Sequence, residues 1–363
     1  MIHLLSHLSY VAITTPDVEA SVEFYKTEVG LTEVARENGS VYLRCWGDYY
    51  AYSVVVVPGD EPAMETMAWR TSSPEALEEA VTRIEAAGVT GEWFDGYKIG
   101  RAYRFVGPFG HSMTLHWDVE RHQAPGHVAS IYPDRPERRS KVAGAPRQLD
   151  HVTIAASNVD EFAKWYNDVL GFRIMARTVL DEAPISVFSV LTTNEKSHDL
   201  GVVLDGSSRA GRINHYAFWV DTYEELLIAA DTLMESGVAI EYGPSIHGIG
   251  EQTFLYYREP SSLRIELNTG GYRNYVPDWT PNTWKPSLGS SNFYKNGAMP
   301  MSMTESFPRP TARRRPRRAC PRSSARRCST PTPGTAEPRR PRPGAAAGGP
   351  GASAFPLRFK EEP

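Results

Sequence analysis

Two histidines and a glutamate in the second half of the chain, His151, His215 and Glu266, lie on three segments that each echo an earlier one. Residues 150–171 (DHVTIAASNVDEFAKWYNDVLG) resemble 6–31 (SHLSYVAITTPDVEASVEFYKTEVGL). Residues 214–237 (NHYAFWVDTYEELLIAADTLMESG) resemble 65–88 (ETMAWRTSSPEALEEAVTRIEAAG), and 260–267 (PSSLRIEL) resemble 108–115 (PFGHSMTL). Aligned, they put His7 opposite His151, Thr66 opposite His215 and Thr114 opposite Glu266, so the earlier copies keep one of the three residues. Two neutral imidazoles and one carboxylate make a facial set that leaves positions around an ion open, which suits non-haem Fe(II) chemistry with oxygen. A lone histidine at a strand start is more often a satisfied structural residue. Three candidate ligands at equivalent places in a duplicated scaffold point instead to one metal site.

The elements that must hold these residues recur four times between residues 5 and 270. Each unit opens with a β-rich run (LSYVAI, MAWRT, HVTIAA, YAFWVD), passes a capping residue and enters an amphipathic helix. Over 158–170 the apolar Phe162, Trp165, Tyr166, Val169 and Leu170 recur at helical spacing, with Asn158 as the N-cap and Gly171 as the stop. Over 73–88 the same grammar runs from Ser73-Pro74-Glu75 through Leu77, Val81 and Ile84 to Gly88. Strand signals follow at 41–43, 51–57, 186–191 and 201–204. The expected fold is α+β, with four βαβββ modules paired into two similar domains. Residues 1–118 form the first pair, 119–147 a polar, Pro/Gly-rich linker, and 148–308 the metal-binding pair with a closing segment. In the last strand, alternation sets Leu263, Ile265 and Leu267 on one face and Arg264 and Glu266 on the other.

Bulk composition narrows the function. Hydrophobic content of 41% and charged content of 23% are those of a globular chain. Residues 309–363 carry 14 basic and 3 acidic side chains, whereas 1–308 carry 25 and 40. An acidic body argues against a nucleic-acid partner. The Arg/Pro/Ala/Gly tail is expected to be disordered, because it cannot bury enough surface to offset its ordering entropy. A polyanion-binding arm is one reading of it; a GC-rich coding region read out of frame is the favoured one, and the tail is assigned no function. No run of about 20 apolar residues suits a membrane span, and no signal peptide is evident. With Cys45, Cys320 and Cys328 as the only cysteines, a disulfide framework is not expected, and a cytoplasmic setting is.

The motifs LDHV (149–152), HDL (198–200), NHYAF (214–218), HG (247–248), FLYY (254–257) and RIEL (264–267), with the run 270–308, resemble the type I extradiol ring-cleaving dioxygenases of the vicinal oxygen chelate superfamily, in their monocyclic-catechol branch. Residues 5–306 carry the likeness. It implies the glyoxalase-like fold, a first domain without metal, Fe(II) or alternatively Mn(II) held by His151, His215 and Glu266, and extradiol (meta) cleavage of catechol or alkylcatechols by O2. His198 then matches the family's acid–base histidine, and His247 with Tyr256 the pair beside the substrate hydroxyl. A homo-oligomer, often a tetramer, is implied as well, with the region after 270 closing the pocket. One departure is the turn before the Glu-bearing strand, where Glu259-Pro260-Ser261-Ser262 replaces the family's Asp-Pro-x-Gly.

Residue type alone favours an aromatic core residue for Tyr256 and a loop histidine for His198, and Tyr257 is taken as structural. His111, His116, His122 and His127 fit no single face and are read as incidental. No dedicated cation for a carboxylated substrate is identified: Arg258 or Arg264 could serve, but each has a simpler role as a surface charge or a partner for an acidic residue. Phe188, Phe218 and Phe254 are expected around an apolar pocket. The competing readings are a metal-dependent glyoxalase-type lyase or isomerase, and a non-catalytic small-molecule binding protein of the same fold.

Overall fold

In a computed structural model the described residues are 3–295 and 298–310. Apart from Arg309 and Pro310, the tail expected over 309–363 lies outside them.

Four βαβββ modules follow one another. The first comprises β1 (Leu5–Thr15), α1 (Val18–Phe24), β2 (Thr32–Glu37), β3 (Ser40–Arg44) and β4 (Val54–Pro58). The second comprises β5 (Ala63–Thr71), α2 (Pro74–Ala86), β6 (Gly91–Gly96), β7 (Gly100–Val106) and β8 (Ser112–His116). The third is β9 (Gln148–Ala156), α3 (Val159–Leu170), β10 (Arg173–Val179), β11 (Ser186–Thr192) and β12 (Leu200–Leu204). The fourth is β13 (Arg212–Trp219), α4 (Tyr223–Glu235), β14 (Ile240–Ile246), β15 (Gln252–Arg258) and β16 (Arg264–Gly270). The helices start where the sequence predicts: Asn158 and Ser73 accept from the amides of Glu161 and Ala76, and Gly171 ends α3 in the left-handed region.

Modules one and two share an eight-stranded sheet in the order β2-β3-β4-β1-β5-β8-β7-β6. Modules three and four share the second sheet, β14-β15-β16-β13-β9-β12-β11-β10, extended by the closing strand β17 (Asn282–Trp284). Within each sheet the two modules join through their first strands, antiparallel, so that β9 and β13 lie side by side at the centre. One apolar core runs through both halves. Trp69 meets Phe172 edge to face at 4.9 Å, and Phe109 packs on Phe162 at 5.4 Å. The 119–147 stretch carries neither helix nor strand, but Glu137 within it pairs with the buried Arg44 at 2.6 Å.

Strand register corrects one sequence alignment. His151 stands opposite Ala217, and its neighbour Val152 opposite Leu200. In the first sheet the same places belong to Tyr10, opposite Ala68, and Val11, opposite Val54. The helix caps Asp17 and Asn158 then coincide as well. Tyr10, not His7, is therefore the counterpart of His151. Matching histidine to histidine slid the first copy by three residues, against the register set by apolar alternation. His7 instead stacks on Tyr50 with ring centroids 5.5 Å apart and bonds Ser6 at 2.8 Å. Thr66 and Thr114 keep their assigned places, with their hydroxyls 3.0 Å apart. The first sheet thus retains none of the three candidate ligands, and Tyr10, Tyr42, Tyr52 and Tyr97 pack together on that side.

Candidate metal centre and substrate cavity

His151 comes from β9, His215 from β13 and Glu266 from β16, three adjacent strands. Register places Ala217 beside both His151 and Glu266, and His215 beside Thr153, so all three side chains reach one face. His151 Nε2 lies 3.1 Å from Glu266 Oε2 and 3.3 Å from His215 Nε2, and His215 Nε2 lies 3.1 Å from the same carboxylate oxygen. Donors about 2.1 Å from one ion and at right angles to each other would be separated by about 3.0 Å. The triangle therefore fits a single divalent cation with a face left open. Glu266 Oε1 is buried without a hydrogen-bonding partner, as expected where a cation supplies the missing positive charge.

The outer nitrogens of the two histidines are held differently. His151 Nδ1 donates to the Asp150 carboxylate at 2.8 Å. That carboxylate also faces Lys196 Nζ at 2.5 Å and accepts from Asn268 at 3.1 Å. His215 Nδ1 donates to the side-chain oxygen of Asn214 at 2.8 Å. Burial disfavours charge on both imidazoles, yet Glu266 and Asp150 carry His151 up to about 9, while His215 falls to about 4. Burial opposes the charge of Glu266 too, but the His151 ring beside it and its hydrogen bonds hold the carboxyl well below its ordinary value.

A cavity of about 420 Å³ opens from this centre. Its polar end holds His198, His247, Tyr256 and Thr153, and its walls include Leu180, Val187, Phe188, Val203 and Ile249. His198 is tilted against the His151 ring at 4.4 Å, and burial pushes its pKa well down. Tyr256 faces Glu266 directly across the β15–β16 pair, in a register with no bulge. His247 Nδ1 donates to the Ser291 carbonyl at 2.7 Å, which leaves Nε2 to accept from the Tyr256 hydroxyl at 3.1 Å. Burial, then the Glu266 charge, raise the Tyr256 phenol well above its ordinary value, so it stays protonated. Tyr257 points into the opposite, apolar core, as alternation requires.

The pocket aromatics divide. Phe188 lines the cavity, Phe254 stacks beneath His247 at 3.9 Å, and Phe218 belongs to the core. Arg258 and Arg264 both turn to Glu241 rather than to the cavity. His111, His116 and His122 bond Arg212, Ser9 and Glu137 respectively, and form no second metal cluster among the described residues. Asp150 and Asn214 stood in the sequence only as members of the LDHV and NHYAF motifs, with no role assigned to either. The segment 286–304 supplies Pro286, Ser290, Met299 and Met303 to the cavity wall. The 259–262 turn forms with Ser262 at φ +84°, and the Glu259 carboxylate accepts from the Leu263 amide at 3.0 Å.

The model of the Glyoxalase/Bleomycin resistance protein/Dioxygenase superfamily matches residues 7–115 and 148–267. The chain belongs to that superfamily, as its duplicated modules and single metal-ready sheet also indicate. It is 33% identical over 286 residues to a manganese-dependent 2,3-dihydroxybiphenyl 1,2-dioxygenase of Geobacillus genomosp. 3, covering 77% of this chain and 90% of the relative. It is 30% identical to a metapyrocatechase of Geobacillus stearothermophilus, over 77% of this chain and 86% of that protein. Among solved structures, the 2,3-dioxygenase LapB from Pseudomonas sp. KL28 superposes with a TM-score of 0.71 at 24% identity, over 78% of this chain and 99% of that one. An extradiol ring-cleaving dioxygenase from B. fuscum gives 0.73 at 23% identity, over 83% and 82%. Within the superfamily the chain falls among the extradiol dioxygenases, and both the fold class and the family resemblance drawn from its motifs are borne out.

Proposed function

We propose that this chain cleaves catechols with O2 at the bond beside the diol, as a catechol 2,3-dioxygenase, with His151, His215 and Glu266 holding Fe(II). The observation that carries the reading is the triangle of donor atoms 3.1–3.3 Å apart at the floor of an apolar cavity. Nitrogen and oxygen donors of this kind also suit Mn(II), the metal in one relative's name. The bound ion would acidify the diol and bring diol and O2 together in one place.

The chain's own residues would manage protons and position. His198, neutral in its buried setting, can accept a diol proton at an imidazole nitrogen and return it to oxygen later. Tyr256, kept protonated and hydrogen-bonded to His247, offers a hydroxyl beside the place where a substrate oxygen would bind next to Glu266. The apolar walls hold the ring and exclude water. Both atoms of O2 enter the product, and one ring carbon–carbon bond breaks, giving a 2-hydroxymuconate semialdehyde-type product.

Substrate choice follows from charge. Glu266 is the sole charged side chain, histidines aside, that lines the cavity among the described residues, and Arg258 and Arg264 are committed to Glu241. A carboxylate on the ring would go unpaired there, at a cost of several kcal/mol. We therefore assign catechol and alkylcatechols over carboxylated ones. Oxygen uptake by the Fe(II)-loaded protein should be at least tenfold faster, per kcat/KM, with 3-methylcatechol than with a carboxymethyl catechol; the reverse order would refute the assignment. A lyase or isomerase drawing ligands from both halves has no support in a first sheet where Thr66 and Thr114 bond each other. We further place the enzyme in the cytoplasm as a homo-oligomer, a tetramer by family resemblance. No helix among the described residues is long and apolar enough to cross a membrane.

A further inference from the structure

The side chain of Asn214 does two things at once. Its oxygen accepts from His215 Nδ1 at 2.8 Å, while its amide nitrogen donates to the Met303 carbonyl at 3.0 Å and the Glu305 carbonyl at 3.1 Å. Those carbonyls belong to a strap, residues 299–308, that contributes Met299, Met303 and Thr304 to the cavity wall. The strap is fastened elsewhere by paired backbone bonds between Phe307 and Ile213, and by Arg264 to the carbonyls of Ser302 and Glu305. Asn214 is 2% exposed, so each of its polar atoms depends on these partners.

An amide has one accepting end and one donating end, and so does a neutral imidazole. If His215 Nε2 ligates a metal, its proton must sit on Nδ1, and Asn214 must present its oxygen to the ring. The amide nitrogen then faces the strap, where it meets two carbonyl acceptors. Without the metal the proton can move to Nε2. Nδ1 then becomes an acceptor, the amide turns its nitrogen inward, and its oxygen is left against the Met303 and Glu305 carbonyls. That contact is repulsive and leaves buried acceptors unmatched, at about 1–3 kcal/mol. His151 has no such switch. Asp150 can only accept, so it holds the proton on His151 Nδ1 whether or not a metal is present.

We propose that Asn214 is a positioning residue that couples metal occupancy at His215 to closure of the 299–308 strap, by reading the tautomer of the ligand. This rests on the metal-site reading above. Coupling of this kind is reciprocal: what docks the strap tightens the metal, and the metal docks the strap. A strap that docks over a loaded centre completes the cavity wall with Met299, Met303 and Thr304 only where the metal is in place.

Backbone amide exchange of 299–308, followed by mass spectrometry with and without Co(II), tests it, alongside Co(II) binding by equilibrium dialysis. In the unaltered chain Co(II) should slow exchange of the strap by about tenfold. In Asn214→Asp the carboxylate still accepts from His215 but cannot donate to the strap, so Co(II) should bind and give under twofold protection. In Asp150→Asn, Co(II) should bind about 10- to 100-fold more weakly, yet still protect the strap once saturated. Equal protection in the unaltered chain and Asn214→Asp would overturn the coupling, as would an unaltered strap indifferent to Co(II). Failure of the unaltered chain to bind Co(II) at all would overturn the metal-site reading itself, a separate outcome seen in the dialysis.

Discussion

Tyr256 and Glu266 stand directly across from one another on neighbouring antiparallel strands, with both side chains turned to the face that carries His151 and His215. The pairing brings a protonated phenol next to the carboxylate of the triad, with His247 behind it at 3.1 Å. A ten-residue separation through a tight turn is enough to build it, because a regular hairpin preserves the face of every second residue.

Removal of one imidazole should abolish the centre and spare the fold. In His215→Ala the strand ladder is untouched, so the far-ultraviolet circular dichroism should match the parent. Iron content after anaerobic loading should fall below roughly a tenth of the parent's, since two donors cannot hold the ion tightly. Full iron content with normal turnover would remove His215 from the ligand set.

His198→Phe separates chemistry from binding. The ring stays in the cavity wall, and the ligands are unaltered, so metal and catechol should still bind. Loss of a positioned acid–base group should slow the reaction with O2 by about 10²- to 10⁴-fold. Stopped-flow mixing of the catechol complex with O2 measures this, and an unchanged rate would assign His198 a packing role.

The turn before β16 holds a serine where the resembled family places glycine. Ser262 adopts φ +84°, a region that penalises any side chain with a Cβ. Ser262→Gly should raise unfolding stability by about 1 kcal/mol in urea titration, with kcat unchanged. A destabilised variant would mean that the Ser262 side chain contributes more than its backbone costs.

Stability should fall in mild acid, partly through His111. Burial depresses this imidazole to about 4 from an ordinary 6.5, and its Nε2 donates to the Arg212 carbonyl at 3.1 Å. Protonation therefore favours the unfolded chain. The stabilising contribution is complete above pH 6.5 and is lost as pH drops through about 4, by up to roughly 3 kcal/mol. His111→Asn should flatten the dependence of unfolding free energy on pH between 6.5 and 4, leaving the part due to the other depressed histidines, His7, His116, His122, His198 and His215. Parallel profiles for the two proteins would show that His111 is solvated in the folded state.

Much of this was legible in the residues. Asn158, Gly171 and Ser73 announced helix ends that are realised, because caps are local chemistry. His215 and Glu266 stood out because duplication supplied a correct internal reference for each, in Thr66 and Thr114. Tyr10 was hidden by the identity of His7, which drew the alignment three residues out of register; strand pairing resolves it through contacts distant in sequence. Asn214 was hidden for a different reason. Its importance lies in carbonyls some ninety residues downstream, and a backbone acceptor leaves no trace in residue type.

The central claim is tested most directly by reconstituting the protein anaerobically with Fe(II), adding catechol, then admitting air while following the visible spectrum and dissolved O2. A yellow ring-opened semialdehyde, formed with one O2 consumed per catechol, is the predicted result. Bound iron with no O2 uptake for catechol or any alkylcatechol would contradict it.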